Sequence, residues 1–126
     1  MQIPRVSRTL KPKEEHIKDF LEYLLKLEVN LRFATVQKRI VANIIVSLKS
    51  KRLTYVKFFD MLLYLLQNVK QKESMAILAN IFKMAIATAK LQELETRYEN
   101  MRNEQARERT EIEMEKQQKI IDDLKI

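Results

Sequence analysis

His16 is the only histidine among the 126 residues, and Glu15 and Asp19 stand within a turn of it. A histidine with nearby carboxylates is the kind of group that ligates a metal or relays a proton. Carboxylate bundles that hold two irons place a glutamate three residues before each histidine. Position 13 here is Lys13. His16 therefore reads as a solvated first-turn side chain rather than a ligand. Glu28 lies between Leu24 and Leu31, nearest of the carboxylates to an apolar stripe, and a lysine partner or a boundary position accounts for it.

The chain has no cysteine and no glycine. The first absence removes disulfides, thiol catalysis and thiolate-bound zinc. The second removes phosphate-cradling loops and nucleophile elbows, which need positive φ or a close backbone approach. The serines have no histidine partner. The expectation is a non-enzymatic chain with no cofactor and no metal.

What remains is electrostatic chemistry. Lys and Arg number 24 against 17 Asp and Glu, a formal charge of +7. The first ninety residues are strongly basic and the remainder mildly acidic, which is a statement about partners rather than fold. Cations fall in three groups: Arg5, Arg8, Lys11 and Lys13; Lys38 and Arg39; Lys49, Lys51, Arg52 and Lys57. Neutralising phosphates requires such charge, because each contact releases a counterion. DNA or RNA is thus the first expected partner, and a solvated basic surface is the plain alternative.

These groups need helices to carry them. Pro4 and Pro12 are the only prolines, and nothing after Pro12 forces a break in helix. The fold class is therefore all-α. Residues 1–11 read as a flexible basic arm, residues 12–94 as a compact bundle of three to four helices, and residues 95–126 as a charged helical extension. Helix 1 is expected from about Pro12 to about Leu31, with Ile17, Phe20, Leu21, Leu24, Leu27 and Leu31 on one face. Helix 2 spans about Thr35 to Leu48 on the stripe Val36, Ile40, Val41, Ile44, Ile45 and Leu48. Thr54 is the expected N-cap of helix 3, about Tyr55 to Val69, with Leu53 and Phe58 as a staple. That helix is apolar almost all round and belongs at the centre of the bundle.

Ser74 is the expected cap of helix 4, which shows no stop signal and reads as one long rod. Met75 to Ala89 is interrupted by Asn80 and Lys83, so it reads as a buried helix and no membrane span is expected. Beyond it, Leu91, Leu94, Tyr98 and Met101 form two turns of a coiled-coil seam. The seam lapses at Gln105 and Glu108 and resumes at Ile112. These five apolar positions are the expected oligomerisation residues. On that reading, cutting the chain after Leu94 leaves the body folded.

A helix-turn-helix reading of helices 2 and 3 fails, since helix 3 keeps only the narrow polar strip Lys57, Asp60, Tyr64 and Gln67. Two function classes stand. The first is a non-enzymatic nucleic-acid-associated accessory protein acting as a helical oligomer, gripping the backbone with little sequence specificity. The second is a protein-only scaffold or assembly subunit whose long C-terminal helix docks a protein partner. The basic N-terminus leads into no apolar secretory segment. The expected location is cytoplasmic or intravirion.

Overall fold

The computed structural model describes residue 3 and residues 5–30 and 32–124, with residue 30 described by its backbone alone. Leu31, the last apolar position expected of helix 1, and the final two residues of the expected extension lie outside them. The described residues form five helices and no strand: α1 (Glu14–Asn30), α2 (Thr35–Lys49), α3 (Tyr55–Asn68), α4 (Lys72–Glu99) and α5 (Glu104–Leu124).

The all-α expectation holds, while the helix count rises to five because the expected rod is two helices. The stop is made by asparagines. Asn100 closes α4 in a right-handed conformation, its N–H donating to the Arg97 carbonyl at 3.1 Å and the Met101 N–H to the Tyr98 carbonyl at 3.2 Å. Asn103 opens α5, its Oδ1 accepting from the amides of Gln105 at 2.9 Å and Ala106 at 3.4 Å. A short side-chain amide satisfies orphan amide groups that a continuous helix would not have. α5 then runs back along α4 and does not project as an arm.

Starts differ elsewhere by a turn or less. α1 begins at Glu14, two residues after Pro12, with Ile17 N–H bonded to the Lys13 carbonyl at 3.0 Å. α4 begins at Lys72 rather than after Ser74, whose buried hydroxyl turns back to Gln71 Oε1 at 3.4 Å. Thr54 caps α3 as expected, its hydroxyl accepting from Lys57 N–H at 3.4 Å. At the α2–α3 turn Lys51 has φ of 59°, the left-handed position that usually takes glycine after a helix C-cap. A chain without glycine holds it with lysine.

Helix α3 sits at the centre. Tyr55, Phe58, Phe59, Leu62 and Leu65 are fully buried, and rings stack from Phe20 through Phe58 and from Tyr55 through Phe59 to Phe82. Helices α1, α2 and α4 close around them through Leu24, Leu27, Ile44, Leu48, Leu78 and Ala85. Among the described residues α4 alone is long and apolar enough to cross a membrane by length and composition, despite Asn80 and Lys83. Half of its most apolar window is buried inside the fold. Burial against α3 and α5 supplies the reason for that apolarity.

Candidate nucleic-acid interface

From Val29 to Phe59 the chain contains seven Lys or Arg and no Asp or Glu. That stretch contains α2, the turn after it and the first turn of α3. Packing buries Val41, Ile44 and Leu48, and the cations on either side of them are left on the surface. Lys38, Arg39, Lys49, Lys51, Arg52 and Lys57 are all exposed.

The N-terminal segment joins this surface through one backbone bond: Tyr55 N–H, in the first turn of α3, donates to the Leu10 carbonyl at 3.0 Å. The segment expected as a free arm is held along the body. Ile3, Val6 and Leu10 pack on the core. Ser7 N–H donates to the Glu93 carboxylate, Gln92 Nε2 donates to the Lys11 carbonyl at 3.0 Å, and Lys13 pairs with Glu95 at 3.2 Å. The physical reason is local: Ile3, Val6 and Leu10 bury apolar surface on the core, and a turn closed by the Leu10 N–H to Ser7 carbonyl bond at 3.1 Å carries the chain between the last two. Exposed Arg8 and Lys11 are therefore brought to the same end as Lys49, Lys51, Arg52 and Lys57.

The other expected cations go elsewhere. Lys38 and Arg39 lie up to three turns back along α2, about 16 Å from Lys49 at 1.5 Å per residue. Arg5 lies across the α4–α5 pair beside Lys90, Glu93, Arg97 and Glu113. Lys51 is not a bare charge, because its ammonium bonds the Glu14 carboxylate. That contact and the lysine's charge hold the Glu14 carboxyl below the ordinary carboxylate value.

The five expected oligomerisation residues divide as well. Leu91 packs on the core, and Leu94 lies beside Arg5 and Glu113. Tyr98 donates to Glu111 of α5 and carries the Arg107 guanidinium 4.4 Å above its ring. Met101 Sδ accepts from the Thr110 hydroxyl at 3.2 Å. Those four are thus met inside the chain, three of them by α5, and Ile112 alone is exposed, at 56%.

His16 is not the solvated side chain expected. It is half-buried, with Nδ1 at 3.0 Å from the Tyr55 hydroxyl, and it borders a small space between α1, α4 and α5 with Asp19, Thr88 and Gln118. Burial and the nearby Lys13 lower its pKa. No group of three or more metal-ligating side chains comes together among the described residues.

No protein-family model, no curated protein and no solved structure matches this chain.

Proposed function

We propose that the chain is a non-enzymatic accessory protein that grips the sugar–phosphate backbone of nucleic acid with little sequence preference. The reading rests chiefly on the Leu10–Tyr55 bond. It brings Arg8 and Lys11 to the exposed end that carries the cations of the Val29–Phe59 stretch, a stretch with no Asp or Glu in its sequence. Long flexible ammonium and guanidinium groups suit backbone phosphates. Among those cations no bidentate, fixed array of the kind that reads base edges is built.

The test is affinity for random duplex and single-stranded oligonucleotides across a salt series. Four to six phosphate contacts predict a log–log slope of about −3 to −5. A Lys49→Gln/Arg52→Gln/Lys57→Gln variant should lower that slope in magnitude by about 2 to 3 while its helicity and melting stay as in the wild type. No binding at about 50 mM salt removes the reading.

The scaffold reading keeps one observation of its own. Ile112 and Ile120 on the outer face of α5 are 56% and 43% exposed. They are two turns apart, the spacing of anchors that enter a partner's groove. On this reading α4 and α5 act as a short antiparallel coiled-coil hairpin whose outer face docks protein. Loss of partner capture on Ile112→Asp with retained polyanion affinity would select it.

A further inference from the structure

Helix α1 packs on α2 at one flank and on α4 and α5 at the other, and its outward edge carries two parallel rows of side chains. The first row is apolar: Ile17, Leu21 and Leu25 rise over Leu48 to form an open groove of about 360 Å³ against α2. Leu25 is 49% exposed, and Val29, one turn further, is 83% exposed. The second row is charged and alternates in sign at four-residue steps: Glu14, Lys18, Glu22, Lys26. Among the described residues, Lys18, Glu22 and Lys26 form no ion pair inside the chain.

An alternating row with an even number of members is complementary to its own reverse. Laid antiparallel against a copy of itself, Glu14 faces Lys26 and Lys18 faces Glu22, twice over. Laid parallel and in register, every charge faces its like. The centre of the charged row falls at position 20, and that of the three groove-lining residues Ile17, Leu21 and Leu25 at Leu21. One residue of helix is 1.5 Å, well within the reach of these side chains, so a single two-fold axis serves both rows. Such an isologous contact is self-complementary and closes at two copies.

We infer that two copies of this chain pair through α1, antiparallel about a two-fold axis near Leu21. The apolar groove provides the buried centre and the Glu14–Lys26 and Lys18–Glu22 pairs provide the register. Exposed charge pairs add little raw affinity, but reversed ones choose partner and orientation. This surface borders the basic end, since Lys49 and Lys51 line the same groove and Glu14 pairs with Lys51, but it is tested by solution mass and not by polyanion binding. It also differs from the seam of Leu91, Leu94, Tyr98 and Met101, which α5 and the core largely cover.

The test is the solution mass of the full chain by light scattering after size exclusion, over a dilution series. The wild type should reach twice its 15.1 kDa. Lys18→Glu and Glu22→Lys, each exposed and expected to leave melting unchanged, should each be monomers at the concentration where the wild type is a dimer. Mixed in equal amounts they should form a heterodimer, because both contacts between positions 18 and 22 then join a carboxylate to an ammonium. The double variant Lys18→Glu/Glu22→Lys should dimerise again. Leu21→Ala/Leu25→Ala should weaken the dimer at least tenfold. A wild type of 15.1 kDa at every concentration overturns the inference. So do single variants that dimerise as the wild type does, or a mixture that stays monomeric.

Discussion

The Tyr55 hydroxyl and His16 Nδ1 lie 3.0 Å apart, joining the first turn of α1 to the first turn of α3. Burial pushes the Tyr55 phenol well above its ordinary value, so it keeps its proton. The hydroxyl can donate to a bare Nδ1 or accept from Nδ1–H, according to the imidazole tautomer.

The half-buried setting of His16 gives a pH dependence whose sign is fixed. The folded state lowers the His16 pKa from 6.5, first by burial and then by Lys13, against Glu15, Asp19 and Glu95. Between the lowered value and 6.5 the unfolded chain binds more protons, so stability is lost as pH falls through this window. The melting temperature should be level above about pH 7 and decline below about pH 6. His16→Gln should flatten that decline, with any residual loss confined to lower pH, where Glu14 and other carboxylates titrate. An unchanged pH profile in the variant would remove the role.

The α4–α5 junction depends on one side chain at each end. Asn103→Ala removes the acceptor for two amides at the start of α5 and should cost about 1 kcal/mol, read by urea unfolding. Asn103→Ser should recover most of it.

What the sequence tells of these helices depends on the range of the signal. Thr54 followed by Tyr55 and Phe58 is a local start signal, and the bounds of α2 and α3 fall within a residue of those read from the apolar stripes. The α4–α5 break is local too, yet Asn100 and Asn103 stand among Glu, Arg and Gln, whose helical preference masks them. With the break overlooked, Tyr98 and Met101 look like half of an intermolecular seam. The structure instead gives them Glu111, Arg107 and Thr110 one hairpin away. The Leu10–Tyr55 and His16–Tyr55 contacts have no local signal, since extended backbone and a lone histidine are compatible with many surroundings.

The hairpin changes what the C-terminus does for stability. Ile121 is 6% exposed and borders the same space as Phe20, Met84 and Leu91, and Tyr23 donates to the Leu124 carbonyl at 3.2 Å. Cutting after Leu94 uncovers that apolar flank, so the body alone should lose its cooperative calorimetric transition rather than keep it. Within the full chain, Ile121→Ala should cost about 2 to 5 kcal/mol and Ile112→Ala less than about 0.5. Equal effects at the two isoleucines would show that α5 is not seated this way.

The basic end contains its own inhibitor of charge. Glu14 is ionised at neutral pH, because Lys51 bonds it and holds its carboxyl below 4.5. An approaching phosphate must therefore compete with Glu14 for Lys51, and Glu14 also repels it. Glu14→Gln removes the repulsion and releases the ammonium, so polyanion affinity should rise and the salt slope should steepen by about 0.9, one further phosphate contact. Folding stability should change little, since the pair is exposed. Lys51→Gln in the wild-type background should weaken binding less than Arg52→Gln, because its charge is already partly spent on Glu14. Placed in the Glu14→Gln background, the same Lys51→Gln change should cost as much as Arg52→Gln. That non-additivity is the decisive readout. If Glu14→Gln leaves both affinity and slope unchanged, phosphates do not reach the α2–α3 turn, and the nucleic-acid contact at this end fails with it.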